Sequence, residues 1–600
     1  MKSKVWKFTK RTLLIALLLG AIFIVNLIWF KPFFINHFYD RVFVEFAFQN
    51  PQLFTQMGQK FYYDELNDNS FDADERNRKI MFESYDTLKS YDRNDLSGQK
   101  LISYDVLDQF LADSIEGDKY EFYGYSQTQR GGMYQGIISF MTDMHRVDDQ
   151  GDAEDYISRL SHVGRVFDNT LLRIKKERDN GAVPPKFIIK KIIENLHNIR
   201  DPELADNVLV KDFNAKVDKL SELDENSKNT LKENMLAQMN QTVQPAYDRM
   251  IALYEELDSK SDNRAGVWKF DKGDEYYQYR IKSVTTTNYT PEYLHTLGLE
   301  EVDRIVAEIK SILTTQGYDT TKTVGKLLNE MSKESQFLYP DSNEGREQIL
   351  KDYQVMIDEI DKDMSETFGI LPKGQVVVKR TPEYRQKTAA GGSYSRPSKD
   401  GSRPGIFYAN LYDITATPKF GMRTLAYHEA VPGHHFQLAI QNELQGLPMF
   451  RGFLGFTGYT EGWALYAERL AYELGFQTDP FSNVGRLQAE LMRAVRLVVD
   501  TGIHHKRWTR EEAIEYMFNT TGLAMTDVES EIERYIVWPG QALAYKVGMI
   551  KIMELRELSK QELGDKFDIR DFHDVVLKNG AIPLNMLEEQ VKSYIQATKT

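Results

Sequence analysis

No cysteine occurs in the 600-residue chain, and this one absence removes disulfides, thiolate nucleophiles, acylation of a lipoprotein cysteine and cysteine-based zinc ribbons together. Any metal must then be held by nitrogen and oxygen from His, Asp or Glu. Clustered positive charge is lacking too. The formal net charge is −14, spread along the chain, and no run of Lys or Arg builds a stripe for phosphates, which excludes nucleic acid as an expected partner. The acidic stretch over residues 64–78 contains Asp72-Ala73-Asp74 but neither the Gly nor the closing Glu of a calcium loop, and it reads as a solvated helix cap. Internal repeats are not evident, and long apolar runs are absent with one exception.

That exception is residues 12–30, which carry no charge and only Thr12 and Asn26 as polar side chains. As helix, this length covers the roughly 30 Å hydrocarbon core of a bilayer. Lys2, Lys4, Lys7, Lys10 and Arg11 precede it, and such a basic cluster stays on the cytoplasmic side. The expected topology is a cytoplasmic tail over residues 1–11, a single span over 12–30 with Trp29 at the outer interface, a linker over 31–50, and everything beyond outside. A cleaved signal peptide fits less well. The run is long for one, and Val25-Asn26-Leu27 and Trp29-Phe30 offer no small-residue cleavage site.

The length, with 42% apolar and 27% charged residues, implies a folded body of more than one lobe. Residues 51–372 read as a mostly α lobe, with helical patterns such as 76–89 and 300–313 and polar punctuation at Asp258-Ser259-Lys260-Ser261-Asp262-Asn263. The character then changes. Val376-Val377-Val378 is β-branched, and Ile406-Phe407-Tyr408-Ala409-Asn410-Leu411 is strand-like after the turn-rich Asp400-Gly401-Ser402-Arg403-Pro404-Gly405. Helical patterns resume after Gly421. A second, catalytic lobe over 373–600 is therefore expected to hold a small β-sheet beside the helix that carries the chemistry.

That chemistry concentrates in His428-Glu429-Ala430-Val431-Pro432-Gly433-His434-His435, which holds three of the chain's eleven histidines. A zinc peptidase needs two imidazoles, a carboxylate beside the first of them to deprotonate water, and a third ligand from elsewhere. In the usual H-E-x-x-H spacing both His share a helical face at i and i+4. Here Pro432 takes the i+4 place, and the next His stands at i+6 or i+7. Pro-Gly is expected to force out a widened turn that returns His434 to the side of His428. In an unbroken helix His435 would stand about 10 Å away, too far for one ion. The plain alternative is a set of ordinary histidines at a Pro kink.

The third predicted ligand is Glu461, in Thr460-Glu461-Gly462-Trp463-Ala464-Leu465-Tyr466-Ala467-Glu468, a carboxylate bracketed by large apolar groups on a helical stripe. Glu468, two turns on, suits orientation of a histidine ring rather than the same ion. The predicted set is thus Zn2+ on His428, His434 and Glu461, with Glu429 as general base. Further along, Arg493, Arg496, Asp500 and His504 make a polar seam on an apolar helix. Asp500 and His504 read as an orienter and imidazole pair, with His504 as an oxyanion donor. Tyr535 and Tyr545 offer hydroxyl donors for the same task, and Arg534 a clamp for a substrate carboxylate. The strand that holds Tyr408 and Asn410 is expected to bind substrate backbone by β-addition.

With these residues in view the chain resembles the bacterial family catalogued as domain of unknown function 885, regarded as gluzincin-like metallopeptidases. The matching stretches are Asp400 through Gly405, Tyr427-His428-Glu429 through Pro432-Gly433-His434, Glu461-Gly462-Trp463-Ala464, Val499-Asp500-Thr501-Gly502-Ile503-His504, and Arg534-Tyr535 through Tyr545. Weaker likeness runs back through Thr285-Thr286-Thr287, so the resemblance covers residues 50–600. It implies a mostly helical, two-lobed zincin-like fold with a deep cleft between the lobes. The departures are the lengthened His-to-His interval and Leu465, which stands where many gluzincins place an acidic residue.

The expected function is hydrolysis of peptide bonds in short peptides, in exopeptidase fashion, by a zinc enzyme held on the outer face of the bacterial cytoplasmic membrane. Two other readings belong to other classes: a membrane-tethered peptide-binding protein without catalysis, and a metal-dependent amidase acting on cell-wall peptides. Stoichiometric zinc separates the first from an enzyme, and D-amino-acid peptides separate the second from a general peptidase.

Overall fold

The computed structural model describes residues 2–383, 386, 389–398 and 403–600, the side chains of residues 2–5, 7 and 8 excepted. Asp400, Gly401 and Ser402 of the expected turn lie outside the described residues. The chain is mostly helical and divides into two compact units, Met1–Asn263 with Leu447–Phe453, and Arg264–Gly446 with Leu454–Thr600. The division falls in the polar stretch 258–263 and not at the change of character near residue 373. The reason lies in packing: the helix Pro291–Thr315, which periodicity alone assigns to the first lobe, packs along Pro480–His504 of the second unit.

In the first unit, α1 (Lys2–Trp29) presents its apolar side chains outward, and its Thr9–Trp29 portion is long and apolar enough to cross a membrane. It is followed by α2 (Ile35–Phe48) and α3 (Pro51–Gln56). The acidic stretch read as a helix cap is one. Ser70 accepts from the Ala73 amide at the start of the helix Phe71–Lys89, and Asp72 and Asp74 occupy its first turn, where the helix dipole favours negative charge. The core forms where Ile188, Ile189, Ile192 and Leu196 of the helix Lys186–Arg200 meet the buried face of Gln244–Lys260.

The second unit holds one small sheet of β1 (Val376–Arg380), β2 (Gly392–Ser395) and β3 (Gly405–Ala409), in the order β1-β3-β2. β1 runs parallel to β3 with Val378 opposite Phe407, and β2 runs antiparallel with Tyr394 opposite Phe407. β3 is thus bonded on both sides. The expectation that residues 406–411 receive a substrate strand is therefore corrected, because a central strand has no free ladder of N–H and C=O groups. The outer strand β2 has a sheet neighbour on one side only among the described residues.

The same unit contains α4 (Pro291–Thr315), α5 (Lys419–Glu429), α6 (His434–Glu443), α7 (Thr457–Glu473), α8 (Pro480–His504), α9 (Met525–Val537) and α10 (Ala544–Leu563), of which α5 and α6 pack against β2. α7 and α10 cross at contact distance because each is bare of side chain at the crossing. A Cβ at Gly462 would lie 2.4 Å from the Gly548 Cα, and one at Gly548 would lie 1.8 Å from the Gly458 carbonyl oxygen. Both obstacles are backbone, so the helices would have to part. Gly548→Ala is expected to lower stability by at least about 1–3 kcal/mol, the usual cost of overpacking, read as a lower denaturant midpoint. An unchanged midpoint would show that the helices can separate freely.

Candidate metal centre

Proline decides the local fold of the histidine segment. α5 ends at Glu429, Ala430 leaves the helical region at φ −110° and ψ −105°, and α6 begins afresh at His434. Pro432 has no N–H to continue α5. Its carbonyl accepts instead from the Trp463 indole Nε1 at 2.9 Å. Gly433 is required by space, since a Cβ there would sit 2.0 Å from the His428 carbonyl oxygen. The expected bulge within one helix is thereby corrected to a full break between two helices. The consequence for the side chains is the one read from the spacing: His428 and His434 meet edge to face, ring centroids 4.7 Å apart and planes at 86°.

Glu461 approaches both rings from α7. Its Oε2 lies 3.4 Å from His434 Nε2 and 3.9 Å from His428 Nε2. One ligand atom from each of the three residues lies within 4.8 Å of the others. Tetrahedral zinc with bonds of about 2.0–2.2 Å places its ligand atoms about 3.3–3.6 Å apart, so this group of two imidazoles and a carboxylate suits such an ion with little adjustment. Behind it, His428 Nδ1–H donates to Glu468 Oε1 at 2.7 Å. That bond fixes the tautomer and leaves the Nε2 lone pair facing Glu461 and His434. Arg493 stands 3.9 Å from the same Glu468 oxygen.

Burial and mutual charge set the protonation states. Burial depresses His428 well below the usual imidazole range. Burial also works to raise Glu461, but His434, and then His428, outweigh it and hold the carboxyl down to about 2. His434 shows the reciprocal effect: burial lowers it, and the Glu461 charge more than compensates. Burial pushes Glu429 up to about 7 against the pull of His434, and Glu468 up to about 7 against Arg493. Glu429 lies at the end of α5 with the backbone of β2 beside it, since a Cβ at Gly392 would come 3.1 Å from its Oε1.

His435 turns away from this group. Its Nε2–H donates to the Gly374 carbonyl at 3.0 Å and its Nδ1 accepts from the Tyr394 hydroxyl at 2.9 Å, so it ties α6 to the sheet. Its neighbour His434 is the one that faces Glu461, as the spacing predicts.

The outlying predicted residues divide. His504 receives the Val267 amide on Nδ1 at 3.2 Å and donates from Nε2 to the Tyr535 carbonyl at 3.0 Å. Both nitrogens are spent on backbone, which removes the expected oxyanion role. The expected pairing with Asp500 is corrected too, because Asp500 accepts from Tyr277 Oη at 2.5 Å and the Gly540 amide at 3.1 Å. Asn410 is corrected likewise. Its amide donates to the Gln386 and Ala389 carbonyls and its oxygen accepts from the Tyr412 amide, so it closes a loop and both its donor protons are spent on backbone. Tyr408 lies on β3 opposite Ser393 and Lys379.

Tyr535, Tyr545 and Arg534 gather around Arg496, which the sequence marked only as part of a seam. Tyr535 Oη donates to Glu531 at 2.7 Å and accepts from Arg496 Nε at 2.8 Å. The Arg496 guanidinium lies over the Tyr545 ring, 4.5 Å from its centroid, and helps hold the Glu461 carboxyl down. Arg534 is paired with Glu531 at 3.1 Å and reaches Gln541 and, at 3.4 Å, Tyr545 Oη. Arg496 could have been singled out from sequence by its place inside Ala494-Val495-Arg496-Leu497-Val498, where a buried charge demands partners. Trp463 and Tyr394 carry no such signal, because their contacts with the 430s depend on tertiary structure.

No curated protein matches the chain. Among solved structures, a candidate lipoprotein from Colwellia psychrerythraea is 37% identical, with a TM-score of 0.87 over 94% of this chain and 98% of that one. A second candidate lipoprotein, of unknown function, from Shewanella oneidensis shares the fold at 19% identity, with a TM-score of 0.73 over 92% and 98%. A sequence profile described as a bacterial protein of unknown function, DUF885, matches residues 51–591, and the chain belongs to that family.

Proposed function

We propose that this protein is a zincin-like metallopeptidase, anchored by α1 in the cytoplasmic membrane with everything after that helix outside, that hydrolyses peptide bonds in short peptides. The observation that carries the reading is the convergence of His428, His434 and Glu461, with a buried glutamate next in sequence to the first ligand and Glu468 fixing that ligand's tautomer. A histidine that binds a metal typically donates its other ring N–H to a carboxylate in this way. The Colwellia relative is named a candidate lipoprotein. With no cysteine to acylate in this chain, α1 takes the place of a lipid as the membrane attachment.

Zinc, when bound, supplies Lewis acidity toward water and toward a substrate carbonyl. Glu429 accepts a proton from the attacking water and delivers it to the nitrogen of the leaving amine, a shuttle suited to a buried carboxylate whose pKa is raised toward neutrality. Tyr545 donates its hydroxyl proton to the developing oxyanion in this reading. It lies in the first turn of α10, one turn before Gly548, which touches Gly462, the neighbour of Glu461, and Arg534 bonds its oxygen and leaves its proton to give. Tyr535, committed to Glu531, holds Arg496 in place. Arg534 contributes positive charge for a substrate carboxylate. The outer edge of β2, beside Glu429, pairs with the substrate backbone, the task first read for the strand of Tyr408 and Asn410.

Removal of the metal tests the reading. The full chain purified without added metal is expected to carry one zinc, to cleave fluorogenic short peptides, to fall to background with a chelator, and to recover with zinc. Zinc at 100 times its dissociation constant is expected to stabilise the apoprotein by about 2.7 kcal/mol, measured by thermal denaturation. A protein without bound metal that hydrolyses no L- or D-amino-acid peptide after zinc is added would overturn it in favour of a peptide-binding protein.

A further inference from the structure

We propose that the aromatic cluster of Phe48, Phe54, Phe61 and Tyr62 in the first unit, together with the exposed Phe46 on α2, rests in the headgroup and acyl boundary of the same bilayer that α1 crosses, a second and purely apolar membrane contact. The proposal rests on the reading of α1 as a membrane span.

The cluster is continuous with the outer end of that span. Phe30, Phe33 and Phe34 follow α1 and are exposed. The Asn26 side chain donates to the Lys31 carbonyl and accepts from the Phe33 amide, which fixes the turn out of the helix. Arg41 of α2 donates to the Phe30 carbonyl at 2.7 Å and to the Leu27 carbonyl at 3.3 Å, and the His37 ring of α2 lies 5.3 Å from that of Phe23. α2 is thus held against the last turns of α1 and has no freedom to swing away. Fourteen residues of helix span about 21 Å, which keeps Phe46 and Phe48 within that distance of the end of the span.

At the far end of α2 the aromatic rings gather and stay uncovered. Phe48 meets Phe54 at 5.6 Å, Phe54 meets Phe61 at 5.8 Å, and Phe48 meets Tyr62 at 6.3 Å. Yet Phe46 and Phe48 are each 54% exposed, Phe61 is 64% and Tyr62 is 50% exposed. A folded protein buries rings of this size unless something else covers them. Tyr62 is held outward at φ +51°, a left-handed conformation that a bulky residue rarely adopts, and its carbonyl accepts from the buried Arg159 at 3.4 Å.

Aromatic side chains settle at the membrane interface because one part of the ring system is apolar and the surroundings are wet. Charge plays no part in this contact. Lys60, the cation beside the cluster, is paired with Asp148 and Asp152, and α2 itself carries Asp40 and Glu45. Zwitterionic lipid therefore suffices, and anionic lipid adds nothing.

The absence of cysteine makes the test direct, since one introduced cysteine takes one spin label. The full chain is prepared as Phe61→Cys, as Ile22→Cys within the span, and as Gln596→Cys on an exposed helix of the second unit. Each is labelled and reconstituted into phosphatidylcholine bilayers, and collisions with oxygen, which partitions into lipid, are compared with collisions with a water-soluble nickel chelate. The expected result is that labels 22 and 61 both lose nickel collisions and gain oxygen collisions relative to label 596. Label 22 in lipid with label 61 in water would overturn the proposal and leave the anchor standing. Label 61 shielded from both reagents would overturn it in favour of a protein partner on the patch. Label 22 in water would remove the anchor reading, and this inference with it.

Discussion

Glu429→Gln is expected to lower turnover of a short peptide by about 10²- to 10⁴-fold, the usual worth of a positioned general base, while the variant keeps the zinc content of the wild type. The substitution preserves volume and polarity and removes only the ability to take up a proton. Glu429 lies outside the group formed by His428, His434 and Glu461, so none of the three candidate ligands is altered. In free energy the expected loss is about 3–5 kcal/mol of barrier, far more than any local repacking of an isosteric side chain would cost. Metal analysis and steady-state kinetics on the same preparation read both halves of the prediction. A Glu429→Gln variant with full zinc and undiminished turnover would remove Glu429 from the mechanism. One that loses zinc would show that Glu429 supports the ligands and is not the base.

The centre was legible in the sequence because its constituents are rare and constrained. Histidines are few, three of them stand in eight residues, and a carboxylate between large apolar neighbours on a helix has to meet a cation. Those considerations sufficed for His428, His434 and Glu461 to be read together, and for Glu468 to be set apart as the residue that orients a ring. The long apolar N-terminal helix was legible for a similar reason, as no other helix among the described residues has its length and composition.

What sequence could not supply was the identity of partners distant in the chain. His504 and Asn410 have the chemistry of a catalytic imidazole and a substrate-binding amide, but backbone groups of Val267, Tyr535, Gln386 and Ala389 occupy them. β2, with the sequence Gly-Ser-Tyr-Ser, has no strand signal of its own. It exists because β3 offers it a ladder, and its presence turned β3 from the expected edge into the centre. The helix Pro291–Thr315 has the same periodicity as its predecessors in the chain, and only its docking on Pro480–His504 shows which unit it serves.

Loss of the metal is expected to follow the ligand set and not the histidine count. Glu461→Ala and His434→Ala should each purify without stoichiometric zinc, because a three-ligand site reduced to two gives up both the charge and the geometry that the ion requires. His435→Ala should retain one zinc despite being the adjacent histidine, since its nitrogens face Tyr394 and Gly374. The cost there should appear in thermal stability, through the lost tie between α6 and the sheet. Glu468→Ala falls between the two. Without its oxygen, His428 can rotate and change tautomer, and affinity should fall by about 10- to 100-fold with all three ligands still present. Competition with a chelator of known affinity resolves the three classes. Equal affinities for Glu468→Ala and wild type would mean that burial alone, without the 2.7 Å bond to His428, holds the ring in its ligating pose. Zinc lost from His435→Ala but kept by His434→Ala would exchange the two histidines, and would require the break at Pro432 and Gly433 to rearrange on binding.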